Sequence, residues 1–338
     1  MRVDLLVLHA IAFLTIVSEK PLTVQGDTAM EKKVLVAVDD SRSCRACVTY
    51  IGKLSGIIPN LHMTLCHIQP AVSQFLIDEA KTDAQARTQL NKILRKNESG
   101  AKDMLAGIRG RLESDGFDPK RIDTLTRPKD LGLAKDIIEI AQEGQYDAIA
   151  AGRRGLSGLQ EMVLGSLTSK LAEHSTVIPV WIISGRVPNT RIFIAVDGSE
   201  SAYRAVDHVS FMLDGNPDVT VTMFHAVPKL KDYCEIDFSD TDNNIEEFLV
   251  EDDKRCLSRF YAHAMKRFRD AGVNENRIEI KESNRKGNVG KAIVRMAKQG
   301  DYGTVVIGRR GISRSFFMGS TSKYVLAQAD KRAVWMIS

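Results

Sequence analysis

Short apolar, β-branched runs recur along the chain, separated by longer stretches whose apolar positions fall three or four residues apart. Val34–Val38 and Ile192–Val196 have the length and composition of strands buried on both faces. Met63–Ile68 and Val219–Val227 predict a second strand in each half of the chain, and Asp147–Ala151 and Thr304–Ile307 a fourth. Leu257, Phe260, Tyr261, Ala264, Met265 and Phe268 keep helical spacing and predict an amphipathic helix lying on the sheet. Asp136–Ala141 and Ala292–Ala297 fall in the helices that precede the fourth strands. Strands alternating with helices imply parallel pairing with helices on both faces.

The pattern occurs twice. Val34-Leu-Val-Ala-Val-Asp39-Asp-Ser41 is answered by Ile192-Phe-Ile-Ala-Val-Asp197-Gly-Ser199, and Ala151-Gly-Arg-Arg-Gly155 by Ile307-Gly-Arg-Arg-Gly311. Gly165-Ser-Leu-Thr-Ser-Lys170 is answered by Gly319-Ser-Thr-Ser-Lys323, and Val180-Trp-Ile-Ile-Ser184 by Val334-Trp-Met-Ile-Ser338. The offset drifts only from 158 to 154 residues, so the four ordered matches mark a duplication. A chain of 338 residues suits two domains of about 150 residues each. The expected division is 30–186 and 187–338, with 1–29 as an extension. The join at Gly185–Thr190 is short and holds a Gly and a Pro, so the two halves are expected to pack together.

The extension has no counterpart in the second half. Leu5–Val17 is apolar but shorter than the roughly 20 residues that cross a bilayer. It has the length of a signal-peptide core, yet Asp4 spoils a basic n-region and no small-residue cleavage site follows. A start placed too early, with translation beginning at Met30, an interfacial helix or packing arm, and a genuine signal all remain open readings. Composition is that of a soluble globular chain, 43% hydrophobic and 27% charged, and the formal charge of +4 is mild and dispersed. Nothing in it requires a nucleic acid or a membrane as partner. Five unevenly spaced cysteines make a poor disulfide framework and fit a reducing cytoplasm. Cys44 and Cys47 form a CxxC without a second ligand pair, so they are read as small residues in the first turns of a helix, and no metal site is expected.

In an open parallel sheet, ligands bind beyond the carboxyl ends of the strands where strand order reverses. Asp39 and Asp197 end first strands and the glycine loops end fourth strands, so each half should carry one crevice. The first loop reads Gly152-x2-Gly155-x9-Gly165-Ser166, and Gly165-Ser166-Leu167-Thr168 opens a helix. Glycines permit close backbone approach, while free amides and hydroxyls at a helix start suit phosphate oxygens. Arg153 and Arg154 could add charge. Singly, each piece also reads as an ordinary cap or turn. The ordered combination, occurring twice, points to phosphate binding.

The A-V-D-x-S opening and the G-x2-G-x9-G-[ST] loop resemble the signature of universal stress proteins. The resemblance covers 33–184 and 190–338. It implies two Rossmann-like α/β domains of the adenine nucleotide alpha hydrolase-like type, each a five-stranded parallel sheet with helices on both faces. It also implies an internal pseudo-dimer in which the segments carrying Trp181 and Trp335 meet, with a further homodimer open. In the nucleotide-binding branch the ligand is ATP, with or without Mg2+. By resemblance Val38, Asp39 and Ile68 would hold adenine and ribose, while Gly152, Gly155, Gly165, Ser166 and Thr168, with Arg153 and Leu167 beside them, would line the phosphates. The second-half set is Val196, Asp197, Ala226, Gly308, Gly311, Gly319, Ser320 and Ser322.

Each half departs from that pattern. Only seven residues separate Gly311 from Gly319, against nine between Gly155 and Gly165, and Asp40 stands where the second half has Gly198. The first site is therefore expected to bind nucleotide better. No catalytic residue is expected: Gly287-Asn-Val-Gly290-Lys291-Ala292 has the wrong spacing for a P-loop, and no nucleophile keeps fixed spacing with His67 or His225, which are expected to pack or hydrogen-bond beside the sites. The expected role is a cytoplasmic, nucleotide-sensing regulatory protein of a stress response. The alternatives are a scaffold with empty sites and a slow ATP-hydrolysing or adenylating enzyme.

Overall fold

The computed structural model describes residues 30–153, 166–226, 243–283, 288–309 and 318–338. The first half runs β1 (Lys32–Ala37), α1 (Arg42–Leu54), β2 (Leu61–Gln69), α2 (Gln74–Thr82), α3 (Ala84–Ser114), β3 (Ile122–Pro128), α4 (Leu133–Glu143), β4 (Ala148–Gly152), α5 (Ser166–His174) and β5 (Val180–Ile183). The second runs β6 (Ile192–Val196), α6 (Glu200–Leu213), β7 (Val221–His225), α7 (Asn243–Asp270), β8 (Ile278–Glu282), α8 (Val289–Gln299), β9 (Thr304–Gly308), α9 (Ser320–Gln328) and β10 (Ala333–Ile337).

The ten strands among the described residues form one sheet in the order β3-β2-β1-β4-β5-β10-β9-β6-β7-β8. Among the described residues every pairing within a half is parallel, and the antiparallel pair β5–β10 joins the halves. Strand order reverses between β1 and β4, and again between β6 and β9, which places a crevice at each of those carboxyl ends. Buried side chains gather in two layers. One lies under α1, α3, α6 and α7 and runs through Trp181 and Trp335; the other lies under α4, α5, α8 and α9.

Burial explains which elements the sequence spelled out. Every residue of β5, β7 and β10 is buried, so these strands are continuous apolar runs or nearly so. The edge strands β3 and β8 are largely exposed and carry Asp123, Arg127, Glu279 and Lys281, which blunt the open edges against stray pairing.

The join is a stack of indoles. Trp181 and Trp335 lie opposite each other in the β5–β10 register, with ring centroids 4.0 Å apart and planes within 4°. Each indole N–H is satisfied from the other half. Trp181 donates to His208 on α6 at 3.2 Å, and Trp335 donates to the Tyr50 hydroxyl on α1 at 3.1 Å. Lys32, fully buried, adds a bond from its Nζ to the Asp214 carbonyl at 3.3 Å.

Candidate functional site

β1 ends at Ala37, but its ladder continues one residue further, because the Val38 amide donates to the Cys66 carbonyl at 2.9 Å. The chain then turns sharply. Asp39 Oδ1 accepts from the Ser41 amide at 3.0 Å, and Ser41 Oγ accepts from the Cys44 amide at 3.1 Å as the N-cap of α1. The second half repeats the device: Asp197 Oδ1 accepts from Ser199 at 3.0 Å, and Ser199 Oγ from Ala202 at 3.2 Å. His67 Nδ1 lies 2.9 Å from the Val38 carbonyl and His225 Nδ1 3.1 Å from that of Val196. A carbonyl only accepts, so Nδ1 carries the proton in both rings, and each histidine braces a strand end.

At the first switch point the structure opens a cavity of about 170 Å³. Val38, Asp39, Ile68, Gly152, Leu167 and Thr168 all line it, bringing together the ends of β1, β2 and β4 with the first turn of α5. Leu133 and Ile137 of α4 complete a wall that the sequence reading missed. Their signal was an i, i+4 apolar pair at the start of a helix, which periodicity assigns to the core as readily as to a pocket. The approach to this wall is held by Asp136, which is buried and accepts from three backbone amides: Leu131 at 2.7 Å, Asp130 at 3.1 Å and Gly132 at 3.2 Å.

Gly152 is required by more than a ligand. A Cβ there would collide with the Ser43 carbonyl and stand 3.0 Å from the Cys44 amide, so the first turn of α1 already occupies the space a side chain needs. Cys44 and Cys66 also line the cavity, and burial pushes their thiols up to about 11 and about 12. At neutral pH they are protonated, soft apolar walls without nucleophilic character. Cys44 and Cys47 are free and buried on α1, as the packing reading expected. Among the described residues no group of three His, Cys, Asp or Glu side chains could hold a metal ion.

Ser166 is exposed as the first residue of α5, at a helix start whose amides lack intrahelical partners. Arg153 corrects the sequence expectation. It is buried and absent from the cavity lining, and its Nη1 donates to the Leu326 and Ala327 carbonyls at 3.0 and 3.1 Å, in the other half. Those are among the last four carbonyls of α9, which no helix can satisfy internally, so Nη1 meets the negative end of that helix. Gly155, Gly165, Gly311 and Arg154 lie outside the described residues.

In the second half Val196 and Ala226 are buried at the ends of β6 and β7, Gly308 ends β9, and Ser320 is exposed at the start of α9. Gly319 is the N-cap of α9, and its amide donates to the Arg309 carbonyl at 3.1 Å. Ser322 donates its hydroxyl to the Gly308 carbonyl at 2.8 Å, so its hydrogen is committed inside the protein.

The sequence profile of the universal stress protein family matches residues 30–184 and again 188–337. A universal stress protein from Archaeoglobus fulgidus is similar in structure, with a TM-score of 0.63 at 17% identity, covering 90% of this chain and 98% of that one. A universal stress protein from Pseudomonas aeruginosa gives 0.56 at 18% identity, with 92% and 94% covered. A functionally unknown protein from the same species gives 0.55 at 17%, with 92% and 93% covered. At such identities the likeness shows a shared fold. No curated protein matches the sequence. With its profile matched twice in order and its strands arranged as two α/β halves, the chain belongs to the universal stress protein family as a tandem member.

Proposed function

We propose that the first-half cavity binds ATP, and that the chain is a nucleotide-responsive regulatory protein of a stress response, working in the cytoplasm. The observation that carries this reading is the convergence of Val38, Asp39, Ile68, Gly152, Leu167 and Thr168 on one cavity at a strand-order reversal. Its walls suit an adenine: Ile68, Leu133, Ile137 and Leu167 supply apolar surface, and Asp39 and His67 supply polar edges. At about 170 Å³ it is smaller than the roughly 300–1,000 Å³ that encloses a drug-sized ligand. Base and sugar would fill it, leaving the phosphates at the first turn of α5, where Ser166 and Thr168 stand. Any Mg2+ would arrive on those phosphates. The repeats, 30–186 and 187–338, would act as two nucleotide-binding-type domains, the second site the weaker.

No helix among the described residues is long and apolar enough to cross a membrane. Native mass spectrometry of freshly purified protein separates the roles: bound ATP supports the sensor, bound ADP or AMP an enzyme, and no nucleotide a scaffold. Calorimetry locates the site. Thr168→Val preserves shape and removes the hydroxyl; it should weaken ATP binding about tenfold, or about 1.4 kcal/mol. Unchanged affinity in a folded Thr168→Val protein would overturn the assignment of this cavity.

A further inference from the structure

Arg153, which the sequence reading placed at the phosphates, and its counterpart Arg309 cross the junction in opposite directions. Arg153 follows Gly152 at the end of β4 and binds the last turn of α9. Arg309 follows Gly308 at the end of β9, and its guanidinium donates to the Glu173 carbonyl and to the Ser175 carbonyl, the latter at 3.4 Å, at the end of α5. Both are nearly fully buried, at 6% and 4% exposure. A buried cation is costly without partners, and the negative end of a helix dipole is a fitting one.

We infer that Arg309 is a positioning residue for the first-half crevice, supplied by the second half, and that Arg153 serves the second-half crevice in the same way. The inference rests on the nucleotide reading for its ligand but on geometry for its direction. α5 has nine residues and is about 13 Å long, a short rod whose far end is fixed by Arg309 and whose first turn presents Leu167 and Thr168 to the cavity. A rod pinned at its end aims its start. The backbone of Arg309 meanwhile serves its own half: its amide donates to the Ile337 carbonyl at 2.7 Å, and its carbonyl accepts from Gly319, the N-cap of α9. One residue therefore touches the helix start of one crevice with its main chain and the helix end of the other with its side chain.

The test uses the full chain and photolabelling with 8-azido-ATP, mapped by peptide so that each half is read separately. Arg309→Ala should weaken first-half labelling about five- to tenfold, and Arg153→Ala, although adjacent to Gly152, should weaken it less than twofold. Loss in the half that carries the substitution, or no loss in either, would overturn the crossed assignment, because a general loss of stability does not select the opposite half. Hydrogen exchange needs no ligand: Arg309→Ala should speed exchange of the α5 amides, and Arg153→Ala those of α9. If wild type takes no label, the nucleotide reading fails while exchange still decides the geometry. Unchanged α5 exchange overturns it. If Arg309→Ala does not fold, Arg309→Lys, which keeps the charge and loses the fork, should show the same crossed pattern at reduced size.

Discussion

At the end of β1, Asp39 receives the Ser41 amide; at the end of β6, Asp197 receives that of Ser199, both at 3.0 Å. Beyond that shared turn the halves diverge. Asp40 is exposed at the rim, its Oδ1 3.8 Å from Arg45, where the second half has Gly198 at φ 71°. A Cβ on Gly198 would stand 3.0 Å from Cys256 Sγ, so that rim tolerates no side chain without movement. Asp136 holds three amides before α4, whereas Ala292 takes its place in α8 and Asn288 caps the helix through the Lys291 amide at 2.9 Å. The repeated features are those the backbone needs to turn from strand to helix. The divergent ones are side chains around the ligand space, where each half could change without losing the frame.

The largest test of that view addresses the join. Trp181→Ala and Trp335→Ala should each cost about 3–5 kcal/mol in urea unfolding, because each removes a fully buried ring from a stack common to both halves. A clear inequality between the two would show that one half supports the other. A smaller effect is expected at Asp136, whose replacement by Ala leaves three amides to find water and should cost about 1–3 kcal/mol. If the Asp136→Ala protein unfolds at the wild-type midpoint, the clamp is redundant and the halves are more alike than they look.

A pH-dependent effect concerns Tyr50 and His208, which receive the two indole N–H groups. Burial holds the His208 pKa down at about 3, against an ordinary 6.5. The unfolded chain takes up that proton below about 6.5 and the folded chain does not. This contribution is therefore fully present above 6.5 and lost as pH falls toward 3. Burial raises the Tyr50 pKa, so that hydroxyl adds nothing to an acid slope. His208→Gln keeps an acceptor for Trp181 and does not titrate; its unfolding midpoint should fall less steeply between pH 6.5 and 4. An identical slope would assign the acid response to other groups.

Much of this was readable in the chain because it is local. A buried strand followed by Asp-x-Ser announces its own turn, and Gly152 is fixed by contact with the neighbouring helix start, so both leave marks at set spacing. β3 was not readable: in Ile122–Pro128 only Ile122 is buried, and an edge strand exposes the polar residues that hide its period. The 31-residue α3 was equally hidden, since its first seventeen residues bury only Ala86. Arg153 was misread for another reason. Its destination is set by how the halves pack, and an arginine beside a glycine loop looks the same whether it faces a phosphate or another helix.

The position of β10 has a consequence for how the molecule is made. This strand, the last among the described residues, lies in the middle of the sheet, between β5 and β9. A ribosome that has finished the first half has therefore produced a sheet with β5 as an open, wholly apolar edge and Trp181 lacking its stacking partner. That edge stays open until Ala333–Ile337 emerge. A nascent chain must keep it from pairing elsewhere for the whole synthesis of the second half, and a chain broken off before Ala333 loses the centre of the sheet, not its margin.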